Sequence, residues 1–250
     1  MKVKTILVSQ PEPKTDVVSP YMELAEKYKI KIDFRPFIQV VGVDVSDFRK
    51  DKVNLAEHTA VIFTSRNAVD HFFRMCEEMR VTISNDLKYF CQSEAVAYYL
   101  QKYVVYRKRK IYHGSIHFKE LVPFLKKHKD EKFLLPSSDV LKPDVPATLD
   151  QAKINYSRAI LYRTVSSDLS DLADVYYDIL VFFSPAGIKS LFENFPDFKQ
   201  NDTRIAVFGP TTSKAAEEAG LRIDINAPTQ EFPSMTMAIE DYVKKVNKGK

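Results

Sequence analysis

Three short segments combine small hydroxyl residues with residues that turn the chain or open a helix: Thr64-Ser65-Arg66-Asn67, Ser184-Pro185-Ala186-Gly187 and Gly209-Pro210-Thr211-Thr212. The chemistry open to them is anion binding. The first N–H groups of a helix lack intrahelical partners and carry the positive end of its dipole, so with nearby hydroxyls they can hold carboxylate or phosphate. Serine and threonine at a helix start also act as simple caps, and residue type alone leaves both readings open. Arg107-Lys108-Arg109-Lys110 is the densest basic run. It reads either as a solvated loop or as a source of long-range attraction for a polyanion, screened beyond about 8 Å at physiological salt.

Other chemistries lack their residues. Cys76 and Cys91 are the two cysteines, too few for a disulfide framework, and His113 and His117 have no third ligand of matching character nearby, so no metal site is expected. Six glycines against thirteen prolines argue against glycine-rich nucleotide loops and a dinucleotide cofactor. The four basic residues at 107–110 come with no recognised nucleic-acid-binding module, and no nucleic-acid partner is expected.

The elements that must position these segments follow from periodicity. Short apolar, β-rich runs at residues 4–9, 30–41, 59–65, 88–91, 131–136, 154–165, 178–184 and 204–208 alternate with amphipathic stretches, the pattern of parallel sheets covered by helices on both faces. Ser19-Pro20 marks the start of the first helix. Ligands of such sheets gather at the carboxyl ends of strands, where all three hydroxyl segments lie. The runs at 30–41 and 154–165 exceed ordinary strand length and bracket a middle block, so they are expected to bridge two lobes. One lobe then comprises residues 1–37 with 166–250, and the other residues 38–165. An internal echo supports this: the turn at Ser65 recurs at Ser184 (184 − 65 = 119), and the turn at Cys91 recurs at Gly209 (209 − 91 = 118).

Composition bounds the class. A chain of 250 residues with 45% hydrophobic, 28% charged and 12% aromatic residues can bury a core and is not disordered, and its net charge of +4 is a mild bias toward acidic partners. The apolar run after the basic start is only Thr5-Ile6-Leu7-Val8, shorter than a signal-peptide core, and no run approaches the roughly 18 residues of a membrane span. A cytoplasmic location without membrane contact is expected.

Four segments in order, Phe63-Thr64-Ser65-Arg66-Asn67-Ala68-Val69, Leu161-Tyr162-Arg163-Thr164, Phe182-Phe183-Ser184-Pro185-Ala186-Gly187 and Ile205-Ala206-Val207-Phe208-Gly209-Pro210-Thr211-Thr212, the last with Ala219-Gly220 downstream, resemble the uroporphyrinogen-III synthase family. Ala227-Pro228-Thr229 before a final helix is similar to the way its members end. The resemblance implies two flavodoxin-like α/β lobes, each a parallel sheet flanked by helices, joined by a two-stranded linker with the substrate in a cleft between them. It implies cyclisation of the linear tetrapyrrole hydroxymethylbilane to uroporphyrinogen III, with inversion of the last pyrrole ring and loss of water, in haem biosynthesis. No cofactor and no metal are implied. The implied protein is a monomer whose partners are its small-molecule substrate and, in transient contact, the enzyme that makes that substrate.

By the same resemblance Tyr162 is the catalytic candidate, matching the tyrosine of the family's Tyr-x-Thr element. With a pKa near 10 a phenol assists a leaving hydroxyl mainly by hydrogen bonding. The implied substrate-binding residues are Thr64, Ser65, Asn67, Ser184, Pro185, Gly187, Gly209, Thr211 and Thr212. Departures from the family pattern are Gln10 within Ser9-Gln10-Pro11, where relatives carry an arginine, Cys91 and Glu94 in place of glycine and threonine, and Pro136-Ser137-Ser138-Asp139 in place of an Arg/Gly turn. These departures keep open an alternative, a non-catalytic tetrapyrrole-binding or regulatory module of the same fold.

Overall fold

Along Ala60-Val61-Ile62-Phe63 every side chain is buried, and successive residues serve opposite cores: Ala60 and Ile62 one, Val61 and Phe63 the other. Ile179-Leu180-Val181-Phe182 divides its residues in the same way between two further cores. Strands buried on both faces need helices on both sides, the condition met in doubly wound α/β folds. The computed structural model of the protein, which describes residues 2–13, 19–141 and 143–248, has that architecture.

In chain order the elements are β1 (Thr5–Val8), α1 (Pro20–Tyr28), β2 (Lys31–Phe34), β3 (Ile38–Gly42), α2 (Val45–Phe48), β4 (Ala60–Phe63), α3 (Arg66–Glu78), β5 (Lys88–Cys91), α4 (Glu94–Leu100) and β6 (Ile111–His113). They continue with α5 (Val122–Lys127), β7 (Phe133–Ser138), α6 (Asp144–Gln151), β8 (Tyr156–Ser166), β9 (Ile179–Phe182), α7 (Pro185–Asn194), β10 (Arg204–Phe208), α8 (Pro210–Glu218), β11 (Ile223–Ala227) and α9 (Met235–Lys248).

The chain divides into two compact units, Met1–Gln39 with Val165–Lys250, and Val40–Thr164. It leaves the first within β3 and returns within β8. The first unit carries the sheet β2-β1-β9-β10-β11, with parallel pairing at each junction. Numbered along the chain, these strands stand in the order 2-1-3-4-5, the flavodoxin-like doubly wound order. Helices α1 and α9 cover one face through Leu24, Met235, Ile239 and Val243, and α7 and α8 cover the other through Ile188, Leu191 and Ala216.

The second unit carries β3-β8-β7-β4-β5-β6, parallel from β8 to β6. Helices α3 and α4 pack on one face of it through Val69, Phe72, Met75, Val96 and Leu100, and α5 and α6 on the other through Leu125, Val145 and Leu149. Its run β8-β7-β4-β5-β6 matches β2-β1-β9-β10-β11 position for position when β4 is set on β9.

Two expectations from the sequence change. The run at 30–41 is two strands, not one, interrupted at Arg35-Pro36-Phe37. Pro36 has no N–H for a ladder, and Phe37 turns into the core against Phe182, its carbonyl accepting from Ser167 N–H and the Ser190 hydroxyl. The turns after β5 and β10 also differ. The caps are Ser93 and Gly209 (209 − 93 = 116), because Gln92-Ser93 lengthens one turn whereas Gly209 follows β10 at once. Strands β6 and β11 are additions to the runs read from periodicity: each is short and pairs at the edge of its sheet.

Candidate functional site

In each unit the hydroxyl segments stand at the carboxyl ends of the central strands. Ser65 caps α3: its backbone is extended at φ −158°, and its Oγ accepts from the Ala68 N–H at 3.1 Å. Ser184 caps α7 in the same conformation, φ −155°, and accepts from the Gly187 N–H at 3.2 Å. These are the serines related by the 119-residue echo, and they occupy equivalent strand-to-helix turns. Thr64 is half-buried beside Ser65, while Asn67 and Pro185 are exposed on the first turns of their helices. Gly187 is buried; a Cβ there would stand 3.4 Å from the Phe182 ring and 3.8 Å from the Ser9 hydroxyl.

The third segment opens α8 differently. Gly209 is the N-cap residue at φ +88°, a backbone region that favours glycine, and the space where a Cβ would project is open. No side chain among the described residues caps the helix. The Gly209 carbonyl accepts from the Thr212 and Ser213 N–H groups, each at 3.1 Å. The two threonines separate: Thr211 is exposed, whereas Thr212 is 1% exposed and its Oγ1 has no hydrogen-bond partner among the described residues. A buried hydroxyl without a partner costs free energy in the folded state, so Thr212 is not there as a cap.

Tyr162 is 7% exposed and its hydroxyl lies 3.2 Å from Ser65 Oγ. Its placement depends on an irregularity in β8. The pairing with β7 runs Ser137 to Ile160 and then Ser138 to Tyr162, so Leu161 is an extra residue and Leu161 and Tyr162 are both buried, which strict alternation forbids. Burial raises the phenol above its ordinary value against the opposing pull of Ser65 and the Ser138 backbone. The group therefore stays protonated at neutral pH and acts as a hydrogen-bond donor. Because Ser65 Oγ already accepts from Ala68 N–H, its own proton can point to the phenol oxygen and leave the phenolic O–H free for a ligand.

Several neighbours of the site lie beyond sequence reasoning. The imidazole of His71 stacks on the Tyr162 ring, 5.0 Å between centroids and 16° between planes. Ser93 caps α4 beside the Ser65 turn, since β4 and β5 are adjacent. Arg158 binds Ser137 Oγ at 2.9 Å and the Ser138 and Asp139 carbonyls at 2.7 and 2.8 Å, so the turn that lacks an arginine of its own receives one from β8. Cys91 is fully buried in the core, where burial pushes its thiol up to about 12, and it presents no thiolate. Glu94 is exposed in the first turn of α4, where its charge complements the helix dipole. Among the described residues no group of three or more His, Cys, Asp or Glu side chains could hold a metal ion, and no helix is long and apolar enough to cross a membrane.

Comparison with known proteins bears on this arrangement. The family model described as uroporphyrinogen-III synthase HemD matches residues 19–237. A curated uroporphyrinogen-III synthase of Chlorobaculum parvum (strain DSM 263 / NCIMB 8327) is 25% identical over 261 residues, covering 97% of this chain and all of that one. Among solved structures, uroporphyrinogen-III synthetase from Helicobacter pylori 26695 is similar in fold, with TM-score 0.59, 18% identity and coverage of 96% of this chain and 99% of that one. A mutant uroporphyrinogen III synthase from the extremely thermophilic bacterium Thermus thermophilus is similar with TM-score 0.53, 15% identity and coverage of 99% and 100%.

Proposed function

The chain belongs to the uroporphyrinogen-III synthase family, and from that membership we propose that Tyr162, held at Ser65, assists the loss of water that closes hydroxymethylbilane to uroporphyrinogen III. The observation that carries this role is the buried phenol 3.2 Å from the cap of α3, with a neighbour able to donate to its oxygen and leave its own proton for substrate. Departure of the hydroxyl leaves an azafulvene cation that an electron-rich pyrrole attacks without a covalent partner from the protein. The demanding task is orientation: attack must fall on the substituted carbon of the last ring, through a spiro intermediate, before unassisted closure gives the uninverted isomer. Orientation of this kind can contribute several kcal/mol, and a donor to the leaving group about 10²–10⁴-fold.

The substrate carries eight carboxylates. The helix starts at Thr64-Ser65-Asn67, Ser184-Pro185-Gly187 and Gly209-Thr211-Thr212 bind them through the positive ends of the helix dipoles and through hydroxyls, and Thr212 adds a buried hydroxyl that lacks a partner among the described residues. The start of α8, with no side-chain cap among the described residues and open space beside Gly209, leaves room for a carboxylate where a capping side chain would otherwise sit. In this role the protein works as a cytoplasmic monomer in transient contact with the enzyme that supplies the bilane. The test is a coupled assay in which hydroxymethylbilane is supplied and the type I and type III products are separated. Type III in excess of the unassisted type I product supports the assignment. Type I alone, at the rate seen without protein, rejects it in favour of a binding module.

A further inference from the structure

Arg74, on α3, makes more of its guanidinium than a surface ion pair requires. Its Nη1 binds Glu78 on the same helix, while Nη2 donates to two backbone carbonyls, Val43 at 2.9 Å and Leu161 at 3.1 Å. Leu161 is the extra residue of the β8 irregularity and immediately precedes Tyr162. Its carbonyl also accepts from the Val43 N–H at 2.9 Å. The remaining donor, Nε, points to His71 Nδ1 at 3.2 Å. That bond requires Nδ1 to be the acceptor, so the imidazole carries its proton on Nε2. The same imidazole lies flat against the Tyr162 ring.

One side chain therefore grips Tyr162 twice: through the backbone one residue away, and through the ring stacked on its phenol. We propose that Arg74 and His71 are positioning residues that set the direction of the Tyr162 hydroxyl, Arg74 holding the β8 irregularity and the imidazole, and His71 fixing the plane of the phenol. The proposal rests on the reading of Tyr162 as the donor to the leaving hydroxyl. A phenol pivots about its bond to Cβ, and its O–H is useful to a leaving group only in a narrow range of directions. Ser65 constrains the oxygen from one side. The stacked imidazole constrains the ring, and the Arg74 bond to Nδ1 adds to the hold on its plane. Burial and the nearby Arg74 charge hold the His71 pKa below its ordinary value, which keeps Nδ1 free to accept.

The experiment is a double-mutant cycle on the full chain with His71→Ala, His71→Phe and Arg74→Met, each alone and combined with Tyr162→Phe. It reads kcat and KM for hydroxymethylbilane, the ratio of type III to type I product, and the thermal midpoint. In the parent background His71→Ala and Arg74→Met are expected to lower kcat about tenfold and raise the type I share, with KM changed less than about twofold. His71→Phe, which keeps a flat ring over the phenol and preserves volume should His71→Ala fold poorly, is expected to recover most of the loss. In the Tyr162→Phe background none of the three should lower kcat further, because a positioning residue has nothing left to position. Equal losses in both backgrounds, or a rise in KM with kcat unchanged, overturns the positioning role while leaving Tyr162 as donor. Parent kcat in Tyr162→Phe alone overturns the reading of Tyr162 and the proposal with it.

Discussion

A Cβ added to Gly42 would stand 2.7 Å from the guanidinium carbon of Arg74, 2.8 Å from Nη2 and 2.9 Å from Nε. The glycine ends β3 beneath the guanidinium group that reaches the Val43 and Leu161 carbonyls, so the absence of a side chain at residue 42 is a condition of that reach. Gly42→Ala is expected to push the guanidinium off both carbonyls. The displaced atoms are the end of a flexible side chain, so the stability cost should be that of the two lost carbonyl hydrogen bonds, about 1–3 kcal/mol, and kcat should fall as far as in Arg74→Met. Denaturant midpoints and steady-state rates check this, and an alanine variant with parent rate and parent stability would sink it.

Tyr162→Phe keeps the ring against His71 and loses the bond to Ser65. Stability should fall by no more than about 0.5–1.5 kcal/mol, the net worth of one hydrogen bond. The rate of type III formation should fall about tenfold to 10³-fold, in the lower range of acid–base effects because a buried phenol above its ordinary pKa is a weak acid. Product separation after a single turnover is the direct measurement.

Thr211→Val and Thr212→Val should part company. Thr211 is exposed and Thr212 buried with a hydroxyl that has no partner among the described residues, so replacing Thr212 by a residue of the same shape removes an unmet polar group. Thr212→Val is expected to hold or raise the thermal midpoint while KM for the bilane rises about ten- to 150-fold, the loss of a charge-assisted hydrogen bond of about 1.5–3 kcal/mol. A midpoint that falls with KM unchanged would make Thr212 a purely structural residue.

Acid should act on His71. Burial, then the Arg74 charge, lowers its folded pKa below the ordinary 6.5, while Asp70 and Glu78 on the same helix pull weakly the other way; Tyr162 on β8 faces it as a neutral ring. A base whose folded pKa lies below its unfolded value contributes stability that is fully present above the unfolded value and is lost as pH falls through the folded one. Protonation also fills Nδ1 and removes the acceptor for Arg74. The pH–rate profile of the parent should therefore bend downward below the ordinary histidine range, and His71→Phe should lack that bend. An identical acid limb in both proteins refutes the assignment.

Much of this organisation can be read from residue order, and the reason is local. Ser65 and Ser184 are caps whose neighbours announce them, and Ala60–Phe63 and Ile179–Phe182 are continuous apolar runs bounded by those caps. What residue order does not reveal depends on contacts between distant segments. Pro36 breaks a run that looks continuous because Phe37 is needed in the core on Phe182. Thr211 and Thr212 are the same residue type in sequence, and only the helix direction buries one and exposes the other. The His71–Tyr162 stack joins residues on α3 and β8 and follows from one extra residue at Leu161, a register detail that no periodicity reports.

The two units carry the same five-strand order, but the chain threads it differently, and this sets a timetable for synthesis. In the unit Val40–Thr164 the strands β4 to β8 emerge in one uninterrupted run, so its sheet can close as soon as β8 is made. In the other unit β1 stands between β2 and β9, and its partner β9 begins at Ile179, after the whole inserted unit has been translated. At about 5–20 residues per second the first strand pair waits roughly seven to thirty seconds for its third strand, by which time the inserted unit has every element it needs. The later-made unit is thus completed only after every strand of the inserted unit has been made, and until β9 emerges its β1 edge stays open to other partners.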